Sequence, residues 1–410
     1  MVLLMEQATA SHDTRDRLLD GIRGVAIVLV VLSHGWTLWP TEKLLSHKTL
    51  NPWFTSGNFA VSIFFVVGAF LATRTLLRRV DSGTDLHVGV ISVRRYVRLS
   101  GQLYVLLIAV LIVTATDTAS AYPNADTGAS VFRIATYTWN WFLVGHALTA
   151  RPDLGHLWYL SVDFQIFLLV LALVYLLGRR RAWLALSLGT LLVAALLWRS
   201  HVFGLDGGAY RALLQTTTRM DAPLTGALAA VLLPYLGVLR RFARPLLVVS
   251  TVALVPVLVL TDTEASFVGW PGVVLDATLF LFVVTCAMST APRLLERTLG
   301  SAPLAFLGRR SLSLYLWHYP LFWFISRHSG GWAWESRAAV GMVAMFAISE
   351  LSERLVETRV QRMLRSERWR ELDDGIPQFL GTRIRGWWRA PVEPSRPDET
   401  VHPADRDQPV

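Results

Sequence analysis

The sequence predicts an all-α polytopic membrane protein, with about ten transmembrane helices and an interfacial or re-entrant segment near residues 132–148. Three observations carry that prediction. The 410-residue chain is 53% hydrophobic and 17% charged, with mean hydropathy +0.43, whereas soluble domains carry about 25% charged residues. Apolar runs of spanning length occur near 22–39, 57–77, 99–116, 157–177, 183–199, 220–238, 245–261, 271–290, 311–326 and 335–356. A helix crosses a hydrocarbon core of about 30 Å with about 20 apolar residues. The arginines fall between these runs, in short clusters.

Taken in order, the clusters are Arg78-Arg79 with Arg94-Arg95-Arg98, Arg179 to Arg181, Arg240-Arg241-Arg244, Arg293 to Arg310, and the tail from Arg359. Ten spans place every cluster on the cytoplasmic side, as the positive-inside rule requires. Counting Phe132–Leu148 as a further span would put Arg179–Arg181 outside. That stretch also holds Thr136, Thr138 and Asn140 among its aromatics, so it is expected to enter or line the membrane without crossing it. The loops 117–131 and 262–270 carry acids but no lysine or arginine and are expected outside. Both termini are then cytoplasmic.

Three regions follow: a cytoplasmic segment 1–21, a transmembrane domain 22–356, and a cytoplasmic tail 357–410. Residues 1–20 are mixed in charge and no small-residue cleavage site follows, so the run from Ile22 is expected to persist as a first helix rather than a signal peptide. The tail mixes arginine with Trp369, Trp387 and Trp388 up to residue 390, as a membrane-surface helix would, and is then rich in Pro and Asp, a composition that favours disorder. No second catalytic domain is expected after the last span. The net charge of +9 is spread over loops, which argues for an orientation signal and against nucleic-acid binding. With the single cysteine Cys286, no intrachain disulfide or thiolate metal cluster can form. No metal site is expected.

Ionisable residues inside apolar runs are costly and mark function by default. Arg23 and His34 lie in one run, eleven residues apart, or roughly 16 Å along a helix. Arg23 also suits a positive-inside anchor, and His34 a helix-packing hydrogen bond. Asp163, Asp221, Asp276 and His318 lie in four other runs, at depths that group them with His34 in one slab. Together they suggest a polar cavity opening outward. His156 and Asp163 are two helical turns apart and are expected on one face, where the carboxylate could orient a histidine. Trp158 and Tyr159 fit an aromatic belt equally well. Arg94, Arg95 and Arg98 suit either anchoring or a phosphate grip, since guanidinium is a bidentate donor to phosphate. Tyr315 and His318, three apart, present polar tips on one helix face.

Seven segments in order resemble the membrane acyltransferase-3 family, which includes O-antigen and macrolide O-acyltransferases. They are Leu19-Asp20-Gly21-Ile22-Arg23-Gly24 with its following His34, Phe64 to Leu71, Arg94 to Leu99, His156 to Asp163, Thr218-Arg219-Met220-Asp221 to Ala227, Ser313 to His318, and Glu350 to Glu357. Two departures stand out: Gly68-Ala69 replaces the family's Ser-Gly, and Asp163-Phe164 replaces its paired glutamates.

The resemblance implies a bacterial multi-pass enzyme of the cell membrane. It would move an acyl group from acyl-CoA, a donor substrate rather than a bound cofactor, to a hydroxyl of a carbohydrate, glycolipid or glycosylated metabolite. On that reading His34, Asp163 and His318 are catalytic, with His34 the general base and Asp163 or His318 orienting it. Arg23, Arg94, Arg95 and Arg98 hold the donor. Asp20, His156, Trp158, Arg219, Asp221, Asp276 and Tyr315 face the acceptor or support the site. Direct transfer and an acyl-histidine relay remain open, as do the acyl chain, the acceptor, its side of entry and the oligomeric state. The same intramembrane His and Asp residues would also suit a proton-coupled transporter or a flippase of lipid-linked saccharides.

Overall fold

The computed structural model describes residues 2–41, 50–120, 122, 125–289, 291–367 and 369, with side chains from residue 17 onward except at 120. Every regular element among them is helical. Residues 1–366 form one compact unit. The second unit, 367–410, lies almost wholly outside the described residues, and with it most of the tail whose surface helix and disorder the sequence predicts.

In chain order the principal helices are α1 (Val2–Leu38), α2 (Gly57–Asp81), α3 (Val88–Thr116), α4 (Thr127–Ala135), α5 (Trp139–Gly145) and α6 (Trp158–Leu177). They continue with α7 (Arg181–Phe203), α8 (Asp221–Leu232), α9 (Ala243–Leu260), α10 (Trp270–Met288), α11 (Ala302–Arg309), α12 (Ser311–His328) and α13 (Trp334–Ser352). A π-turn, Glu353–Glu357, leads into α14 (Thr358–Leu364). Seven segments are long and apolar enough to cross a membrane: Arg17–Leu38, Gly57–Asp81, Val88–Thr116, Pro152–Leu177, Arg181–Phe203, Gly237–Leu260 and Trp270–Met288.

Three of the ten expected spans are not in that set. Helix α8 has only 12 residues, about 18 Å of rise against a core of about 30 Å. Helices α12 and α13 have 18 and 19 residues, but polar and charged side chains such as His318, Arg327 and Glu350 dilute their apolar character.

The stretch 132–148 does not form one long helix. Tyr137 adopts a left-handed backbone (φ 55°) and separates α4 from α5, a conformation costly for a bulky residue and kept only when its surroundings enforce it. Here Ser100 Oγ meets the Tyr137 hydroxyl at 3.0 Å, and Gln165 Nε2 donates to the Tyr137 carbonyl at 2.6 Å.

Helix α2 is the centre of the bundle, buried on every side from Phe59 to Val67. By contrast, α7 leaves Trp183, Leu186, Val193 and Leu197 exposed, as a lipid-facing helix does. Close crossings position the site. A Cβ on Gly24 would overlap the carbonyl of Leu304, so α1 and α11 touch backbone to backbone. Gly226 does the same for α8 against the Val66 carbonyl of α2. Small residues permit this approach in membrane helices, where dispersion contacts rather than hydrophobic exclusion hold helices together.

Candidate active site

Three histidines from three chain segments meet where α1 and α12 pack together. His34 Nδ1 lies 2.7 Å from His318 Nε2, with the rings nearly parallel at a centroid distance of 5.0 Å. His156 stands edge-on, 5.4 Å from His318 and 6.4 Å from His34. Tyr319 closes the group, 4.5 Å from the His34 ring and 5.0 Å from that of His156. His318 and His156 are buried, while His34 is half-buried.

Pro320 explains part of this arrangement. It has no N–H, so the Leu316 carbonyl loses its helical donor, and His156 Nε2 approaches that carbonyl at 3.3 Å. Proline thus opens a backbone acceptor in α12, and the turn Pro152–Leu157 supplies the partner.

A cavity of about 870 Å³ lies beside this group. Among the described residues, eight arginines line it: Arg23, Arg79, Arg94, Arg95, Arg98, Arg309, Arg310 and Arg365. The acids on its wall are Asp163, Glu353 and Glu357. Arg95 is held by Asp163 at 2.5 Å and lies over the Phe167 ring. Arg23 donates to Ser311 Oγ at 2.9 Å and sits 3.6 Å from Asp20, which also faces Arg309 at 3.8 Å. Arg94 donates to the Leu364 carbonyl at 2.9 Å. Tyr159 and Tyr315 form the wall nearest the histidines, their rings 5.3 Å apart. The Tyr315 ring is 5.2 Å from His156 and 5.7 Å from His318, and its hydroxyl donates to the His156 carbonyl. One layer of phenol rings separates the arginine-lined cavity from the histidines.

The carboxylates do not join the histidines, so the five residues do not share the single polar cavity that the sequence suggests. Asp163 faces the arginine cavity and is engaged by Arg95. The seven-residue spacing misleads because His156 lies in a 3-10 turn, and regular α-helix begins only at Trp158. Asp221 pairs with Arg199, both side chains almost completely buried, and Asp276 abuts Asp221. Arg219, fully buried, is surrounded by Phe267, Trp158 and Phe65 at 4.6, 5.5 and 5.9 Å from its guanidinium carbon. Asp221, Asp276 and Arg219 therefore form a separate buried charge cluster. Trp158 and Tyr159 face the protein interior rather than forming a belt.

The sequence assigns no role to Arg199, Tyr319, Glu353 or Glu357, although the last two lie in one of the seven resembling segments. Arg199 hides as the last residue of an apolar run, and its burial against Asp221 depends on how α7 and α8 pack. The spacing of Glu350, Glu353 and Glu357 along one helical face was the available signal for the last two. Among the described residues, no group of His, Cys, Asp and Glu is arranged to hold a metal ion.

Comparison with known proteins places this geometry in context. The model of the acyltransferase-domain family matches residues 16–352. The peptidoglycan O-acetyltransferase OatA of Listeria monocytogenes is 25% identical over 368 residues, covering 84% of this chain and 55% of that protein. A putative O-acetyltransferase of Staphylococcus aureus is 24% identical over 384 residues, covering 89% of this chain and 60% of its own. The S. aureus O-acetyltransferase OatA is 24% identical over 364 residues, covering 84% and 57%. The chain thus spans somewhat more than half the length of these relatives. No solved structure matches it. With the family match running from the start of the α1 span, through all three histidines and most of the arginine cavity, to the end of α13, the chain belongs to the acyltransferase-domain family.

Proposed function

We propose that the chain is a membrane-bound O-acyltransferase that carries an acyl group from acyl-CoA to a hydroxyl of a carbohydrate or glycolipid of the bacterial envelope. The observation that supports this reading is the pairing of a polyanion-sized, arginine-lined cavity with a half-buried histidine one ring layer away. The name of the Listeria relative, a peptidoglycan O-acetyltransferase, favours an envelope glycan as acceptor.

On this reading Arg98, Arg94 and Arg309 hold the donor's phosphates by charge-assisted hydrogen bonds. Arg95 is already neutralised by Asp163 and fixes the cavity wall. The pantetheine arm runs toward Tyr159 and Tyr315, which bring the thioester near His34. His34 takes the proton of the acceptor hydroxyl as its oxygen attacks the thioester carbonyl. The tetrahedral intermediate collapses, the C–S bond breaks, and the departing thiolate receives the proton from His34. Ester and free thiol are the products. The membrane domain spans 22–356: α8 crosses together with the short turns Thr216–Arg219 and Leu233–Tyr235 on either side of it, α12 and α13 complete the ten spans, and the arginine end faces the cytoplasm.

The test is transfer of radiolabelled acetyl from acetyl-CoA in membranes supplied with lipid-linked glycan. Labelled glycan should form with the parent and vanish with His34→Ala at equal membrane levels. Full turnover by His34→Ala, or no dependence on acetyl-CoA, refutes the reading. A transporter would move glycan without consuming acyl donor.

A further inference from the structure

We propose that His318 is a positioning residue, which sets the tautomer of His34 and so determines which nitrogen of His34 is the base. The inference rests on the reading of His34 as general base and goes one step further into it.

Two backbone carbonyls fix which nitrogen of His318 carries the hydrogen. His318 Nδ1 lies 2.8 Å from the Tyr315 oxygen and 3.1 Å from the Leu314 oxygen. A carbonyl oxygen only accepts, so Nδ1 of His318 carries a hydrogen and donates to them. A neutral imidazole with its hydrogen on Nδ1 has a lone pair on Nε2. That nitrogen is 2.7 Å from His34 Nδ1, so His34 donates from Nδ1. Neutral His34 then carries its lone pair on Nε2, and this is the nitrogen that takes the acceptor's proton. The reverse assignment would set a bare Nδ1 of His318 against two carbonyl lone pairs. The third possibility, a doubly protonated His318, would bury an uncompensated cation in a fully buried side chain.

The neighbours are consistent with this chain. His156 directs Nε2 at the Leu316 carbonyl, so it does not compete for His318. Tyr319 meets His34 as a tilted ring pair, with centroids 4.5 Å apart, rather than by a hydrogen bond to either nitrogen. The acid expected in this role, Asp163, is held by Arg95. A histidine in place of a carboxylate has a physical advantage here. A neutral acceptor orients His34 at rest without adding a second buried charge. When His34 becomes imidazolium, the same hydrogen bond becomes charge-assisted and strengthens.

Nitrogen-15 NMR of histidine-labelled protein in detergent at neutral pH tests this, with His34 and His318 assigned by difference from His34→Asn and His318→Leu. Both should show the neutral Nδ1–H tautomer in the parent. An Nε2–H His34 or a cationic His318 overturns the proposal, with no variant needed to function. Kinetics supply the second arm. His318→Leu should lower kcat by about a hundredfold, the lower end of a general-base contribution, while both KM values stay within about twofold, and His34 should lose its single tautomer. His318→Gln, whose side-chain carbonyl can accept from His34 Nδ1, should recover much of kcat. Unchanged kcat in His318→Leu refutes the positioning role. Full turnover by His34→Ala would instead refute the base assignment, while leaving the tautomer measurement intact.

Discussion

Replacing Asp163 by Asn separates two roles for this carboxylate. The resemblance casts Asp163 as a partner of His34; the geometry makes it the counter-ion of Arg95, at 2.5 Å, with side-chain exposures of 20% for Arg95 and 13% for Asp163. Breaking a buried ion pair by removing one partner costs about 3–5 kcal/mol, because the other charge is left uncompensated. Both groups border the cavity, so the low end applies, and a loss of about 3 kcal/mol corresponds to roughly a hundredfold rise in the unfolded or opened population. Cys286 provides the assay, since it is the only cysteine of the chain and is fully buried. Its labelling rate by a thiol-reactive fluorophore in mild denaturant reports opening of α10, and should rise about a hundredfold in Asp163→Asn. Removing the orphaned charge as well, in Asp163→Asn with Arg95→Gln, should restore most of the protection, giving a coupling of about 1–3 kcal/mol in the double-mutant cycle. A carboxylate that orients His34 would act differently: labelling would stay at the parental rate, kcat would fall, and Arg95→Gln would rescue nothing. That pattern refutes the counter-ion assignment.

Three further outcomes follow from the same structure. Arg98→Gln should raise the KM for acyl-CoA about tenfold to a hundredfold with a smaller change in kcat, the value of one charge-assisted hydrogen bond of about 1.5–3 kcal/mol; an unchanged donor KM per folded molecule returns Arg98 to membrane anchoring. Gly226→Ala should force α8 away from the Val66 carbonyl of α2 and cost about 1–3 kcal/mol by overpacking, visible as faster Cys286 labelling; parental labelling rates would show that the crossing can open freely. Cysteines introduced as Ser82→Cys and Asp206→Cys, both at exposed positions and in a Cys286→Ala background, should differ toward a membrane-impermeant reagent in intact cells. Ser82→Cys should be protected and Asp206→Cys labelled; equal labelling overturns the proposed topology.

Features that depend only on neighbours along the chain can be read from the amino-acid order. The seven long apolar helices are legible as runs, because a helix satisfies its backbone within the segment and needs only apolar side chains facing lipid. That 132–148 makes no spanning helix is legible too, since Thr136, Thr138 and Asn140 spoil a span, although its break into two helices at the left-handed Tyr137 is not. Ordered motifs mark Arg23, His34, Asp163 and His318 as residues with a chemical role but do not say which of them meet. Tertiary structure alone decided those partnerships. His34 and His318 are 284 positions apart, Arg95 and Asp163 68, and Arg199 and Asp221 22. Each pairing depends on the crossing and rotation of helices, and these depend on backbone contacts such as Gly24 against Leu304 and Gly226 against Val66. A carboxylate one helical face away from a histidine in sequence can therefore end against an arginine in space, because the rotation of α6 follows from its packing and from the 3-10 turn that precedes it, not from a count of residues.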